Sequence, residues 1–150
     1  MSQTMNEFVN NLFAAWNSHD IDQTEKFYAE NYVGVDVAQA VPQQGHAGFR
    51  AFFTQYLNAV PDFGFIVDDV IADGNRVAVA WNVCGTHRGS LMNIPPTGKN
   101  IAIRGVSLFT VENDRIQQAT YVWDLAGLLR NIGLLPELYS TGGENEKHLV

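Results

Sequence analysis

The spacing of apolar residues changes from a helical to an alternating pattern near residue 63, and this change limits the chain to a mixed fold. In segments 5–16 and 49–57, apolar residues recur every three or four positions, as they do along one face of an amphipathic helix. From Phe63 onward the pattern alternates, as in half-buried strands. The alternating segments are 63–67, 76–84, 100–111 and 115–123. This order predicts an α+β domain with helices packed on one face of a mainly antiparallel sheet.

Two further segments complete the predicted elements. Asp20, followed by Gln23, has the form of a capping box, which predicts a second helix running to about Glu30. The segment 31–40 is rich in β-forming residues, and we expect it to place Asp36 beside the core. Three N-terminal helices are therefore predicted to cover a curved sheet.

Length and charge limit the class of protein. The 150 residues suit one domain, which we predict to span 1–139, with a polar, flexible tail at 140–150. The net charge of -7 is spread along the chain and opposes binding to nucleic acid. No apolar run approaches the roughly 18 residues that cross a bilayer, and the N-terminus lacks a signal pattern. We expect a cytoplasmic protein without a membrane partner.

The segment Arg115–Pro136 places a carboxylate between two apolar stretches. Alternation from Ile116 through Val122 puts Asp124 on their face of the strand, and an apolar helix follows. A carboxylate in an apolar pocket is suited to acid–base catalysis, because desolvation disfavours its charged form. The alternative is that Asp124 only caps the helix that begins at Leu125.

Other candidates for the site are aromatic residues and one histidine. His87 could donate a hydrogen bond to a substrate carbonyl or to Asp124, or it could be a structural histidine. Trp16, Phe53, Trp81 and Met92 are candidates for the wall of an apolar binding pocket, or for plain core. The histidines show no spacing with cysteine or carboxylate residues that suggests a metal site, so we predict no metal.

Three motifs carry a resemblance to a known family. They are GTHRG (85–89), PPTGK (95–99) and DLAGLLRNIG (124–133). In this order they resemble the SnoaL-like polyketide cyclases of the NTF2-like superfamily. The resemblance implies a cone-shaped α+β barrel, often a homodimer or homotetramer, that takes a hydrophobic small molecule and needs no metal or cofactor. It also implies an intramolecular aldol condensation that closes a ring of an anthracycline-type polyketide. The acid–base aspartate of such cyclases aligns with Asp124.

The chain departs from the family pattern at several positions of the implied pocket. Leu108 and Thr110 stand where the cyclases present polar side chains, including a histidine. Thr120 stands where a tryptophan is frequent, and Val35, followed by Asp36, stands where a histidine is frequent. We therefore predict that Asp36, Leu108, Thr110 and Thr120 contact the substrate in a family-shaped pocket whose chemistry or ligand differs from that of the typical cyclase.

Three functions remain open at this point. The first is a cyclase with Asp124 as the acid–base group. The second is an isomerase or dehydratase of the same fold, similar to ketosteroid isomerase or scytalone dehydratase, with Asp36 or Asp124 as the base. The third is a non-catalytic protein that binds a small molecule. Apolar residues on both faces of strands 76–84 and 100–111 further predict a dimer formed through the outer face of the sheet.

Overall fold

A computed structural model describes residues 4–136 of the chain and shows an α+β fold. Within these residues the helices are α1 (Met5–Asn17), α2 (Ile21–Glu25), α3 (Gly45–Ala59) and α4 (Leu125–Asn131). The strands are β1 (Tyr28–Asp36), β2 (Gln43–Gln44), β3 (Gly64–Asp73), β4 (Arg76–Thr86), β5 (Asn100–Glu112) and β6 (Arg115–Trp123). The predicted fold class is confirmed. The tail predicted at 140–150 lies outside the described residues.

The helices follow the apolar pattern with one correction. Helix α1 buries its apolar stripe and begins with a capping box between Thr4 and Glu7. The second helix was predicted to reach about Glu30, but α2 ends at Glu25 and β1 begins at Tyr28. The reason is that Tyr28 and Tyr32 are buried as part of a strand that pairs with β6, so tertiary packing prevails over the local helical pattern.

The sheet has the order β2-β1-β6-β5-β4-β3 among the described residues. The pair β1–β6 is parallel, and the other pairs are antiparallel. The sheet is curved, and helices α1 and α3 cover its inner face, where the core lies. A β-bulge interrupts β6: Thr110 pairs with Gln118, whereas the next residue of β5, Val111, pairs with Ile116. Gln117 is therefore an extra residue, and it reverses the inward–outward alternation of β6.

The outer face of the sheet carries exposed apolar side chains. Val35 on β1, Leu108 on β5 and Val122 on β6 are between 40% and 46% exposed. A solvated sheet face is usually polar, so this surface remains the predicted site of self-association. None of the helices in residues 4–136 has the length and apolar character needed to span a membrane.

Candidate active site

A cavity of about 100 Å³ lies between the inner face of the sheet and helices α1 and α3. Its wall is almost entirely apolar and aromatic. The residues that line it are Leu12, Phe13, Trp16, Tyr28, Asp36, Phe52, Tyr56, Val60, Phe63, Phe65, Trp81, Val83, Leu91, Ile101, Ile103, Ser107, Phe109, Tyr121 and Trp123. Trp16, Trp81 and Asp36 therefore occupy the cavity wall, as predicted. Among the described residues, Asp36 is the one carboxylate in this wall, and no Lys, Arg or His side chain lines it.

Asp36 is the last residue of β1 and is only 2% exposed. Its Oδ1 accepts hydrogen bonds from the backbone N–H of Ala38 at 2.9 Å and from the indole N–H of Trp123 at 2.8 Å. Its Oδ2 accepts one from the Tyr56 hydroxyl at 2.5 Å. The bond to Ala38 belongs to an Asx turn that reverses the chain after the strand. One oxygen therefore serves the turn, while the other lies beside the cavity-lining phenol.

The Tyr56 hydroxyl donates a hydrogen bond to Asp36, and its environment favours the protonated phenol. Burial, followed by the negative charge of Asp36 and the hydrogen bond to it, raises the pKa of Tyr56 far above its usual value. The amide of Gln39 also donates to the Tyr56 hydroxyl, at 3.2 Å. The raised pKa keeps the hydroxyl hydrogen on Tyr56, where it is donated to the carboxylate.

A second polar side chain of the inner face, Ser107, lies on β5, two strands away from Asp36. Asp36 pairs with Tyr121, Tyr121 with Ser107, and Ser107 with Val79, so these residues form one row across the sheet. Adjacent strands are about 4.8 Å apart, which places the Cα atoms of Asp36 and Ser107 roughly 10 Å apart. Ser107 is 3% exposed, and its Oγ accepts a hydrogen bond from the Trp81 indole N–H at 2.9 Å.

The next row of the sheet supplies both indoles. Trp123 and Trp81 are the two register partners of Gly105. The indole of Trp123 donates to Asp36, and the indole of Trp81 donates to Ser107. Two tryptophans in one row therefore hold the two polar groups of the row beside it.

A chain of buried hydroxyl groups occupies another part of the wall. Trp16 donates from its indole to the Tyr28 hydroxyl at 3.0 Å, Tyr28 contacts Tyr121, and the Tyr121 and Tyr32 hydroxyls are 2.9 Å apart. Tyr32 donates to Oε1 of Gln43 at 2.6 Å. Burial is the main cause that raises the pKa of all three phenols. Each hydroxyl can donate once and accept once along this chain, so the chain satisfies its own members.

The structure corrects the predicted orientation of Asp124. Its side chain is exposed and accepts a hydrogen bond from the Gly127 N–H at 2.8 Å, which caps α4. The prediction assumed unbroken alternation from Ile116, but the bulge at Gln117 reverses the faces, so Tyr121 and Trp123 point inward and Asp124 does not. The helix-cap interpretation fits this geometry.

The prediction also placed three residues on the wrong face of the sheet: Leu108, Thr110 and Thr120. They lie on the outer face of the sheet, where Leu108 pairs with Thr120 and is 45% exposed. Both faces of β5 carry apolar residues, so its alternation did not by itself identify the inner face. The residues of β5 that line the cavity are Ile101, Ile103, Ser107 and Phe109.

Two predicted wall residues lie elsewhere in the protein. Phe53 is fully buried in an aromatic cluster with Trp16, Phe49 and Phe63, behind the cavity wall. Met92 is at the tip of a tight turn closed by Leu91 and Ile94, with a positive φ of 47°. The turn directs Leu91 into the wall in its place.

His87 is fully buried and is not part of the cavity wall, so the structure places it away from the predicted contact with a substrate and favours the alternative of a structural histidine. Its Nδ1 is 3.0 Å from the Thr97 hydroxyl, and its backbone bonds to Lys99 and Gly98. Within the described residues Nε2 has no hydrogen-bond partner. His87 therefore closes the loop between β4 and β5, because the loop is too irregular to satisfy its own backbone.

The residues around His87 attach the same loop to the end of α3. Asp62 accepts hydrogen bonds from the hydroxyl and the backbone N–H of Thr86, both at 2.7 Å, and these bonds lower the pKa of Asp62. Gly89 donates to the carbonyl of Ala59 at 3.0 Å. A Cβ at position 89 would be 2.0 Å from the carbonyl oxygen of Asn58, so this contact requires glycine.

Sequence reasoning did not identify Tyr56, Ser107 or Trp123 as members of the site. Tyr56 belongs to the apolar stripe of α3, and a stripe at helical spacing is read as core. Ser107 shares odd-numbered positions with Ile101, Ile103 and Phe109, and this parity was the signal available for it. No group of three His, Cys, Asp or Glu residues that could hold a metal ion occurs in residues 4–136.

Residues 6–132 match the family model described as SnoaL-like polyketide cyclase, and the chain belongs to this family. The resemblance read from the motifs is confirmed. No protein of curated function matches the chain.

Solved structures show the same fold. AclR of Streptomyces galilaeus, a candidate hydroxylase, is 25% identical, with a TM-score of 0.76 over 87% of this chain and 96% of its own. IdmH of Streptomyces antibioticus, a candidate polyketide cyclase, is 22% identical, with a TM-score of 0.76 over 87% and 99%. A protein with a ketosteroid isomerase-like fold from Catenulispora acidiphila is 17% identical, with a TM-score of 0.75 over 88% and 96%. The last of these supports the predicted NTF2-like architecture.

Proposed function

We propose that the protein is a SnoaL-like enzyme that removes a proton from the carbon next to a carbonyl group of a hydrophobic substrate, with Asp36 as the acid–base group. The observation that carries this proposal is the position of Asp36, a buried carboxylate in the wall of an apolar cavity. Such a cavity with a few placed polar groups is the usual form of a small-molecule site. In this proposal Asp36, and not the exposed Asp124, is the acid–base group.

The hydrogen bonds of Asp36 leave room for a substrate proton. An ionised carboxylate has about four lone-pair positions on its two oxygens. Oδ1 accepts two hydrogen bonds and Oδ2 accepts one, so the described part of the chain leaves one position on Oδ2 unused. A general base must be within hydrogen-bonding reach of the proton that it removes, and Oδ2 meets this need for a ligand in the cavity.

The proposed reaction begins with transfer of the α-proton to Asp36 Oδ2. The C–H electron pair forms the carbon–carbon double bond of an enolate, and the carbonyl π pair moves to oxygen. In ring closure the enolate carbon attacks a second carbonyl group of the same molecule, and the new alkoxide takes the proton from Asp36. The carboxylate is thereby regenerated. The carbon–carbon bond forms within the substrate and the protein supplies only proton transfer, so the proposed mechanism uses no cofactor.

Family membership supports ring closure as the first candidate. Isomerisation is the second, because the cavity volume of about 100 Å³ suits a small substrate, and isomerisation needs no second carbonyl group. In that reaction the substrate is a ketone with a neighbouring carbon–carbon double bond, the enolate extends over that bond, and Asp36 returns the proton to its far carbon. Both reactions share the first step, so one assay tests both.

The assay is exchange of α-protons of acetophenone and cyclohexenone in D₂O, followed by NMR. Asp36→Asn keeps an oxygen acceptor for Trp123 and Ala38 but removes the base, and it should lower the enzyme-catalysed exchange rate by roughly 100-fold or more. Asp124→Asn is the matched control, since it makes the same substitution at an exposed cap where Asn also serves. Equal rates for wild type and Asp36→Asn would refute the role of Asp36. A loss confined to Asp124→Asn would restore Asp124, and the absence of exchange by wild type on any carbonyl compound would favour the binding protein.

A further inference from the structure

We infer that the Ser107 hydroxyl binds the carbonyl oxygen of the substrate, and that the part of the substrate inside the cavity is a neutral carbonyl compound of about one ring. This inference rests on the proposed function for the identity of the base. It concerns which group holds the oxygen on which negative charge develops, and which chemical class of ligand the cavity accepts.

Ser107 has a hydrogen-bond donor without a protein acceptor. The side chain is 3% exposed and lines the cavity. Its oxygen accepts the indole N–H of Trp81 at 2.9 Å, and residues 4–136 provide no acceptor for its own hydroxyl hydrogen. A buried hydroxyl normally uses its hydrogen in a hydrogen bond, so an acceptor on a ligand in the cavity would complete it.

Trp81 makes this hydroxyl a stronger donor. A hydroxyl that accepts a hydrogen bond is polarised and donates a stronger one, since bonds in a chain reinforce each other. The indole is held beside Ser107 because the row partner of Trp81, Gly105, has no side chain to displace the ring. A fixed donor that needs no reorganisation is the type of group that stabilises a developing oxyanion.

Ser107 and Asp36 lie in the same row of the inner face and line the same cavity. The two residues lie in one row with Tyr121 between them, roughly 10 Å apart at their Cα atoms. Both side chains line the same cavity, so one ligand in the cavity can contact both. A small ligand can therefore place its oxygen at Ser107 and its α-hydrogen at Asp36.

The cavity selects a small, neutral ligand. Its volume of about 100 Å³ is of the same order as an apolar cavity of about 150 Å³ that binds benzene. Its described wall contains a carboxylate and no cationic side chain, so a carboxylate or phosphate on the buried part of the ligand would lack a counter-ion. A larger substrate would insert one ring and leave the rest outside.

The test compares two probes of the same shape, acetophenone and α-methylstyrene, which has a methylene group in place of the carbonyl oxygen. Ser107→Ala should weaken acetophenone binding by roughly threefold to tenfold, the size of one neutral hydrogen bond, and leave α-methylstyrene unchanged. The infrared carbonyl stretch of bound acetophenone should lie at lower frequency in wild type than in Ser107→Ala. Ser107→Thr, which keeps a hydroxyl, should retain the lower frequency.

Three results would overturn the inference. They are an equal loss of affinity for both probes in Ser107→Ala, an unchanged carbonyl frequency in that variant, and no binding of acetophenone by wild type. If Ser107→Ala does not fold, Trp81→Phe/Ser107→Ala replaces it, with Trp81→Phe as its reference, because this pair leaves no indole N–H without a partner. In Asp36→Asn the lower frequency should persist, so a failure of the proposed base and a failure of the Ser107 contact give different results.

Discussion

Gly105 lies between Trp81 and Trp123 on the inner face of the sheet, and its replacement by alanine tests the geometry of the cavity wall. A Cβ at this position would be 2.3 Å from Cη2 and 2.4 Å from Cζ2 of the Trp81 ring, and 3.0 Å from the Cβ of Trp123. Carbon atoms pack favourably at about 3.5–4 Å. The Trp81 ring must therefore move by about 1 Å, and its hydrogen bond to Ser107 is broken or lengthened.

Three effects determine how much Gly105→Ala changes the free energy of unfolding. Overpacking a filled core costs about 1–3 kcal/mol, and the lost hydrogen bond adds about 1 kcal/mol. Replacing glycine restricts the unfolded chain and returns about 0.4–1 kcal/mol. Gly105→Ala should therefore lower the free energy of unfolding by about 1–3.5 kcal/mol.

Urea unfolding of wild type, Gly105→Ala, Trp81→Phe and the double variant measures this effect. Phenylalanine lacks the Cη2 and Cζ2 atoms that meet the new Cβ, so the double variant should be more stable than the sum of the two single changes predicts. A cost of Gly105→Ala below about 0.5 kcal/mol, the usual effect of a neutral surface change, would refute the packing argument. Strict additivity in the double variant would assign the cost to the strand backbone instead of Trp81.

Two further predictions concern alkaline stability and self-association. Burial raises the pKa of four tyrosines in the folded state: Tyr28, Tyr32, Tyr56 and Tyr121. Their contribution to the free energy of unfolding is fully present below the unfolded pKa of about 10 and is lost as pH rises above it, by up to about 1.4 kcal/mol per pH unit for each tyrosine. Denaturant unfolding between about pH 8 and pH 11 measures this loss, and an unfolding free energy that stays level across that range contradicts the prediction. The apolar outer face of the sheet predicts a dimer at micromolar concentration. Leu108→Glu places a charge in this face and should convert the dimer to a monomer, as measured by light scattering. If the wild-type protein is already a monomer, this interface is excluded.

The fold could be predicted because it depends on average spacing over many residues. The stripes of α1 and α3 and the alternation of β3 to β6 each repeat the same signal several times, so one irregular residue does not change the class. The ends of elements depend on fewer residues: α2 stopped early because two tyrosines of β1 are buried against distant parts of the chain. Such tertiary contacts have no local signature.

The site was harder to predict because a side-chain direction depends on each single residue before it. One extra residue, Gln117, reversed the face of Asp124, and no feature of the segment between Ile116 and Asp124 marks a bulge. On β5 an error of one position exchanged Ser107 for Leu108. Asp36 was predicted near the core because it lies in the β-rich segment 31–40. Its partner Tyr56 lies 20 residues away on a helix, and only the tertiary structure brings the two together.

The motifs that identify the family and the residues that form the cavity are largely different sets. In GTHRG the glycines allow close approach to α3 and His87 closes a loop. In DLAGLLRNIG a Cβ at Gly127 would be 2.4 Å from the capping carboxylate of Asp124, so that pair forms the start of α4. These residues hold the loop after β4 and the start of α4, whereas Asp36 and Ser107, to which we assign the proposed chemistry, lie outside the motifs. A match to the family therefore specifies the fold around the cavity more strongly than a reaction, and a proposal about the chemistry of this chain has to start from the residues of its own cavity wall.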